Sequence, residues 1–138
     1  MRGVLVDTSF WFALAVAADA NHLHAARTAR ALQKRGEMFF TTVPILAETH
    51  RLLLYKLGAW AADRFLAQIA KQVEAGFLCL LPVGWEEVDA ARAWLAKYAD
   101  LNLTLTDATS AVIMRASGII VYAGYDRHFL LLGFTPAE

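Results

Sequence analysis

Cysteine is nearly missing from this 138-residue chain. Cys79 is the only one, so no disulfide can form within the chain. It lies in the apolar run Phe77-Leu78-Cys79-Leu80-Leu81, which reads as a buried core thiol and fits a reducing cytoplasm. Long apolar runs are missing as well. The stretches from Phe10 to Ala18 and from Phe77 to Trp85 fall far short of the roughly 20 residues that cross a bilayer, so no membrane span is expected. Arg2 and the apolar residues after it, with Ala15-Val16-Ala17, superficially resemble a secretory leader. Asp7 interrupts that stretch, and cleavage there would remove a strand, so a leader is not expected.

Excess charge of either sign is also lacking. Thirteen basic and thirteen acidic side chains leave a formal net charge of zero, which excludes a global field that draws the protein onto nucleic acid. Any RNA contact must therefore be local. Basic residues from Arg27 to Lys71 crowd the first half and acids from Glu86 to Asp107 the second, a distribution that reads as solvated helix faces. No repeat and no Pro-, Gly- or Ser-rich linker divides the chain, so residues 1–138 are expected to form one domain. Neither GxGxxG nor a Walker loop is present for a nucleotide, and no GxSxG elbow for a serine nucleophile. Asp7-Thr8-Ser9 lacks the second Asp of a haloacid-dehalogenase-type phosphatase.

Apolar residues are abundant: they make up 58% of the chain against 19% charged, enough for a well-filled core. Their spacing alternates strands with helices. Val4-Leu5-Val6 reads as a strand ending at Asp7, with Thr8 and Ser9 placed to cap a helix from Phe10. A helix from His22 to Arg35 ends at Gly36, and Met38 to Thr41 is a second strand. Thr42 caps a third helix with Pro44 in its first turn, running to about Leu57. A fourth, from Trp60 to Ala75, carries Ala62, Leu66, Ile69 and Val73 on one face. Phe77 to Val83 is a third strand and Trp85 to Tyr98 a helix; a loop then leads into a helix from Asp107 to Ala116, and Ile119 to Tyr122 is a fourth strand. Strands joined through helices imply right-handed crossovers. The expected fold is α/β in three layers, a central parallel sheet of four to five strands flanked by helices.

Four acids fall at telling places on that map. Asp7 ends the first strand, Glu48 lies early in the third helix, Asp107 opens a helix, and Asp126 follows the fourth strand. The carboxyl ends of parallel strands share one edge, where ligands bind. Clustered carboxylates repel, so they hold protons or recruit a cation. Oxygen-only ligands favour Mg²⁺ or Mn²⁺ over zinc, which points to phosphodiester chemistry. Singly, each acid also has a structural role open to it: Asp107 suits a first helical turn, Asp7 a strand-end turn, and Glu48 an ion pair with Arg51. It is the convergence of all four that carries the chemistry.

The sequence resembles the PIN-domain family. Val4-Leu5-Val6-Asp7-Thr8-Ser9 is similar to its opening, Thr42-Val43-Pro44-Ile45-Leu46-Ala47-Glu48 to its second acidic segment, Leu105-Thr106-Asp107-Ala108 to its third, and Tyr125-Asp126-Arg127-His128-Phe129 to its last. Size and the lack of appended domains look most like the VapC toxins of toxin–antitoxin pairs. The resemblance implies a Mg²⁺- or Mn²⁺-dependent endoribonuclease, often a homodimer, held inactive by a small antitoxin. Carried over, Asp7 and Asp107 are the firmest metal ligands, and Glu48 and Asp126 complete the set. Gly124 departs from the pattern, since the family commonly has Thr or Ser two positions before the last Asp. A non-toxin nuclease of RNA processing and a catalytically silent binding module are the alternatives. A zinc site on His22-Leu23-His24 is set aside, because on a helix those two side chains diverge by about 200°. His128 and Arg127 read as loop polars that could contact phosphate or donate a proton, and Phe10-Trp11-Phe12 as packing.

Overall fold

The computed structural model describes residues 2–138. Strand β1 (Val4–Val6) lies at the centre of a five-stranded sheet and is buried along its whole length, as expected of a continuous apolar run covered on both faces. Helices α1 (Thr8–Ala15) and α2 (His22–Lys34) lead to β2 (Phe39–Thr42). Thr42 then caps α3 (Val43–Leu57), its hydroxyl accepting from the Ile45 N–H at 3.3 Å, with Pro44 in the first turn as expected. Helix α4 (Ala59–Glu74) runs to β3 (Leu78–Leu81), α5 (Trp85–Lys97) and a 3₁₀ turn (Ala99–Leu101). Helix α6 (Leu105–Ser117) precedes β4 (Val121–Ala123), followed by the single turn α7 (His128–Leu131) and β5 (Thr135–Pro136).

The strand order is β3-β2-β1-β4-β5 and every pairing is parallel. Side chains of β1 alternate between two cores. Leu5 packs with Phe40, Met114, Tyr122 and Phe129 on the α6 side, and Val4 and Val6 pack with Phe10, Ala13, Ala25 and Leu32 on the α1–α2 side. A third cluster, Val16, Leu46, Leu53, Ala62, Phe65 and Ile69, joins α3 to α4. The fold is α/β in three layers, as expected.

The differences from expectation are local. Cys79 is exposed rather than buried, because β3 is an edge strand whose Cys79 and Leu80 both reach the surface. The buried face of α4 keeps Ala62 and Ile69 as expected, but Phe65 rather than Leu66 fills the turn between them, and Leu66 and Val73 lie partly exposed. Helix α6 begins two residues before Asp107, capped by Thr104. Neither α7 nor β5 was anticipated. No described helix is long and apolar enough to cross a membrane.

Candidate metal centre

The chain leaves β1 toward β2 on one side, whereas β4 pairs on the other side of β1, so the connections diverge between β1 and β4. Such a switch point opens a crevice at the carboxyl edge of a parallel sheet. Asp7 and Asp126 follow these two strands.

Asp7 is 4% exposed. Its N–H donates to Ala123 O at 2.9 Å, lacing the ends of β1 and β4 together. Its carbonyl accepts from Phe10 and Trp11 to start α1, and its side chain makes no cap hydrogen bond. The carboxyl pKa is raised to about 7, chiefly by burial. The Thr8 backbone N–H opposes that shift, while the charges of Asp107, Glu48 and Asp126 add to it. The other three acids are thus close enough for their charges to act on Asp7.

Asp107 stands at the third position of α6 in a capping box. Thr104 Oγ1 accepts from the Asp107 N–H at 3.1 Å, and Asp107 Oδ2 accepts from the Thr104 N–H at 3.1 Å. The same oxygen lies 3.1 Å from His128 Nδ1, which is also 3.3 Å from Asp126 Oδ1. Both partners are carboxylate oxygens, so this nitrogen is the N–H donor of the imidazole. The His128 backbone N–H donates to Asp126 Oδ1 at 2.9 Å. One donor atom from each of Asp107, Asp126 and His128 lies within 4.8 Å of the others, a grouping of the size that holds a metal ion.

Glu48 is half-buried on α3 and acts on Asp7 through its charge. The ion pair with Arg51 that the sequence left open as an alternative does not form; Arg51 instead lies over the Tyr55 ring, 5.8 Å from its centroid. Ser9 was read only as a cap for α1, yet its hydroxyl accepts from the Tyr125 N–H at 2.8 Å and ties α1 to the loop carrying Asp126. Nothing in the sequence around Ser9 signals that long-range role. The space at Gly124 explains its departure from the family pattern: a Cβ there would meet Asp7 Cβ at 3.2 Å and Ser9 Oγ at 3.3 Å. The backbone at Gly124 approaches Asp7 too closely for a side chain without a shift of its neighbours.

Two observations bear on a cation. Asp7 is buried among three further acids with no cationic side chain paired to it among the described residues. Beside it, Thr8 Oγ1 is buried without a hydrogen-bond partner. A donor set of carboxylate oxygens with a neighbouring orphan hydroxyl fits a hard divalent ion with its waters. The histidines at positions 22 and 24 are engaged elsewhere, His22 Nδ1 2.7 Å from Ala13 O and His24 Nδ1 2.7 Å from the Tyr125 hydroxyl. A groove of about 630 Å³ lined by Trp11, Leu14, Trp60, Phe65 and Phe77 is separate from the cluster, since none of the four acids lines it.

Known proteins share this architecture. The chain is 31% identical to the "23S rRNA-specific endonuclease VapC20" of Mycobacterium tuberculosis, in strains CDC 1551 / Oshkosh and ATCC 25618 / H37Rv, over 98% of each chain. The crystal structure of Mycobacterium tuberculosis VapC20, a sarcin-ricin loop cleaving toxin, superposes with a TM-score of 0.82 at 29% identity, covering 96% of this chain and 97% of that one. Residues 4–134 match the PIN domain. The protein belongs to the PIN-domain family and is similar to VapC-type toxin ribonucleases over nearly its whole length.

Proposed function

We propose that the chain is a Mg²⁺- or Mn²⁺-dependent endoribonuclease that hydrolyses RNA phosphodiester bonds at Asp7, Glu48, Asp107 and Asp126. The observation that carries this reading is the buried Asp7, raised to about 7 in the midst of three other acids at the sheet's carboxyl edge. A carboxyl group so placed is costly to ionise unless a cation accompanies it. Asp7 and Asp107 would hold the ion, with Glu48 and Asp126 completing the set. When bound, a divalent ion supplies Lewis-acid polarisation of the phosphoryl group and a lowered pKa for the attacking water. The protein's own part is positional. The capping box fixes the Asp107 rotamer, and one His128 N–H bridges the Asp107 and Asp126 carboxylates until a cation takes its place. Ser, Cys or His nucleophiles have no place in this scheme.

Similarity to an rRNA-specific relative supports ribosomal RNA as the substrate class and a toxin of a toxin–antitoxin pair as the biological setting. That setting carries with it a small antitoxin, a second copy of the chain as partners, and the cytoplasm as compartment. The test is cleavage of total RNA and of intact ribosomes with Mg²⁺, with Mn²⁺ and with EDTA, beside Asp107→Asn. Discrete metal-dependent products that the variant fails to make are expected. Absence of cleavage by the unaltered protein under every condition would overturn the reading in favour of a silent binding module.

A further inference from the structure

Asp126 has no tie of its own to the rest of the acidic cluster except through its neighbours in sequence. Its carboxylate partners are the His128 N–H at 2.9 Å and His128 Nδ1 at 3.3 Å, both from the same short segment, and its side chain is 39% exposed. The preceding residue, by contrast, is attached three times over to the first two helices. The Tyr125 N–H donates to Ser9 Oγ on α1 at 2.8 Å. Its ring stacks on Phe10, centroids 6.1 Å apart at 16°. Its hydroxyl shares a 2.7 Å hydrogen bond with His24 Nδ1 on α2, and the two rings meet edge to face. Asp19, in the connection between these helices, lies near enough for its charge to act on the phenol.

We propose that Tyr125 and His24 are positioning residues that set where Asp126 stands relative to Asp7, by latching the loop after β4 onto α2. The inference rests on the nuclease reading above. Packing alone would be met by the Tyr125 ring on Phe10; the hydroxyl and the exposed His24 add direction, not burial. With glycine at 124, the latch does what a side chain there has no room to do.

Tyr125→Phe keeps the stack and deletes the latch, and His24→Ala deletes it from the other side. His24→Asn places an amide close to the position of Nδ1 and is the rescue variant. Mn²⁺ affinity is measured without RNA by the electron paramagnetic resonance of free Mn²⁺, alongside kcat, KM and thermal unfolding. Tyr125→Phe and His24→Ala should each weaken Mn²⁺ binding and lower kcat about three- to ten-fold, the span of one hydrogen bond. KM for RNA should stay unchanged and the unfolding temperature should fall by a few degrees at most; His24→Asn should recover most of the loss, and the double variant should be no worse than either single one. Wild-type Mn²⁺ affinity and kcat in both single variants would overturn the latch. If the unaltered protein binds Mn²⁺ but cleaves no RNA, the nuclease reading fails while the Mn²⁺ affinities still decide the latch. Failure to bind Mn²⁺ at all would overturn both.

Discussion

His128 Nδ1 lies 3.1 Å from Asp107 Oδ2, although the two residues are 21 positions apart and sit on different helices. The same N–H reaches Asp126 Oδ1 at 3.3 Å, so one proton serves two carboxylates that otherwise repel. A cation bound between those oxygens competes with that proton for the same lone pairs. His128→Ala should therefore bind Mn²⁺ a few-fold more tightly than the unaltered protein, while the metal-free variant loses about 1 kcal/mol of stability. Calorimetric titration with Mn²⁺ and urea unfolding in EDTA check the two halves. Weaker Mn²⁺ binding would instead make His128 a ligand in its own right.

Asp7 predicts a pH dependence whose sign follows from its burial. Its carboxyl is raised from 3.8 to about 7 in the folded protein, so the fold favours the protonated form. Stability is then fully present below the unfolded-state value near 4 and is lost as pH rises through 7. In EDTA the loss between pH 5 and pH 8 should amount to a few kcal/mol at most, at about 1.4 kcal/mol per pKa unit. Asp7→Asn should flatten the profile and be the more stable protein at pH 8, and saturating Mg²⁺ should restore the unaltered protein there. Parallel profiles for the two proteins across that range would show that Asp7 is already solvated or paired.

The sequence carried the layers, the parallel sheet and the positions of the four acids, because these depend on local periodicity and chain order. Val4-Leu5-Val6 and the Thr42-Pro44 helix start are legible from composition alone. What was hidden depends on distant neighbours. Cys79 sits in an apolar run, yet it is exposed because β3 is a sheet edge, a fact of topology rather than of pattern. Ser9 looks like a helix cap and instead accepts from Tyr125, 116 residues away. Strand β5 is two residues long, held by the Thr135 N–H donating to Ile120 O and the Ala137 N–H to Tyr122 O, which no two-residue pattern can announce.

Asp107 has two roles that a single substitution separates. As Asn it keeps a side-chain oxygen for the Thr104 N–H and so preserves the capping box, but it loses the charge that a cation needs. Asp107→Asn should unfold within about 1 kcal/mol of the unaltered protein, while RNA cleavage falls at least about 100-fold, a loss that even residues supporting metal ligands can reach. Asp107→Ala should lose activity to the same extent and additionally destabilise α6 by roughly 1 kcal/mol. Retained cleavage by Asp107→Asn would remove this residue from the metal set.

Phe129 links that chemistry to the core. It is fully buried immediately after His128, against Tyr122 at 5.3 Å and Phe134 at 6.2 Å between ring centroids. Because α7 is a single turn, it has too few internal hydrogen bonds to hold itself, and its position depends on this anchor. Phe129→Ala should cost about 3–5 kcal/mol in urea unfolding, the range for a buried aromatic. His128 and Asp126 hang from the same turn, so Mn²⁺ affinity should fall as well, whereas a destabilising change in the core on a helix that carries none of the four acids, such as Ile69→Ala on α4, should leave Mn²⁺ affinity intact at temperatures where both variants are folded. Equal Mn²⁺ affinities in the two variants would mean that the acidic cluster holds its geometry without the anchor, and that Phe129 serves stability alone.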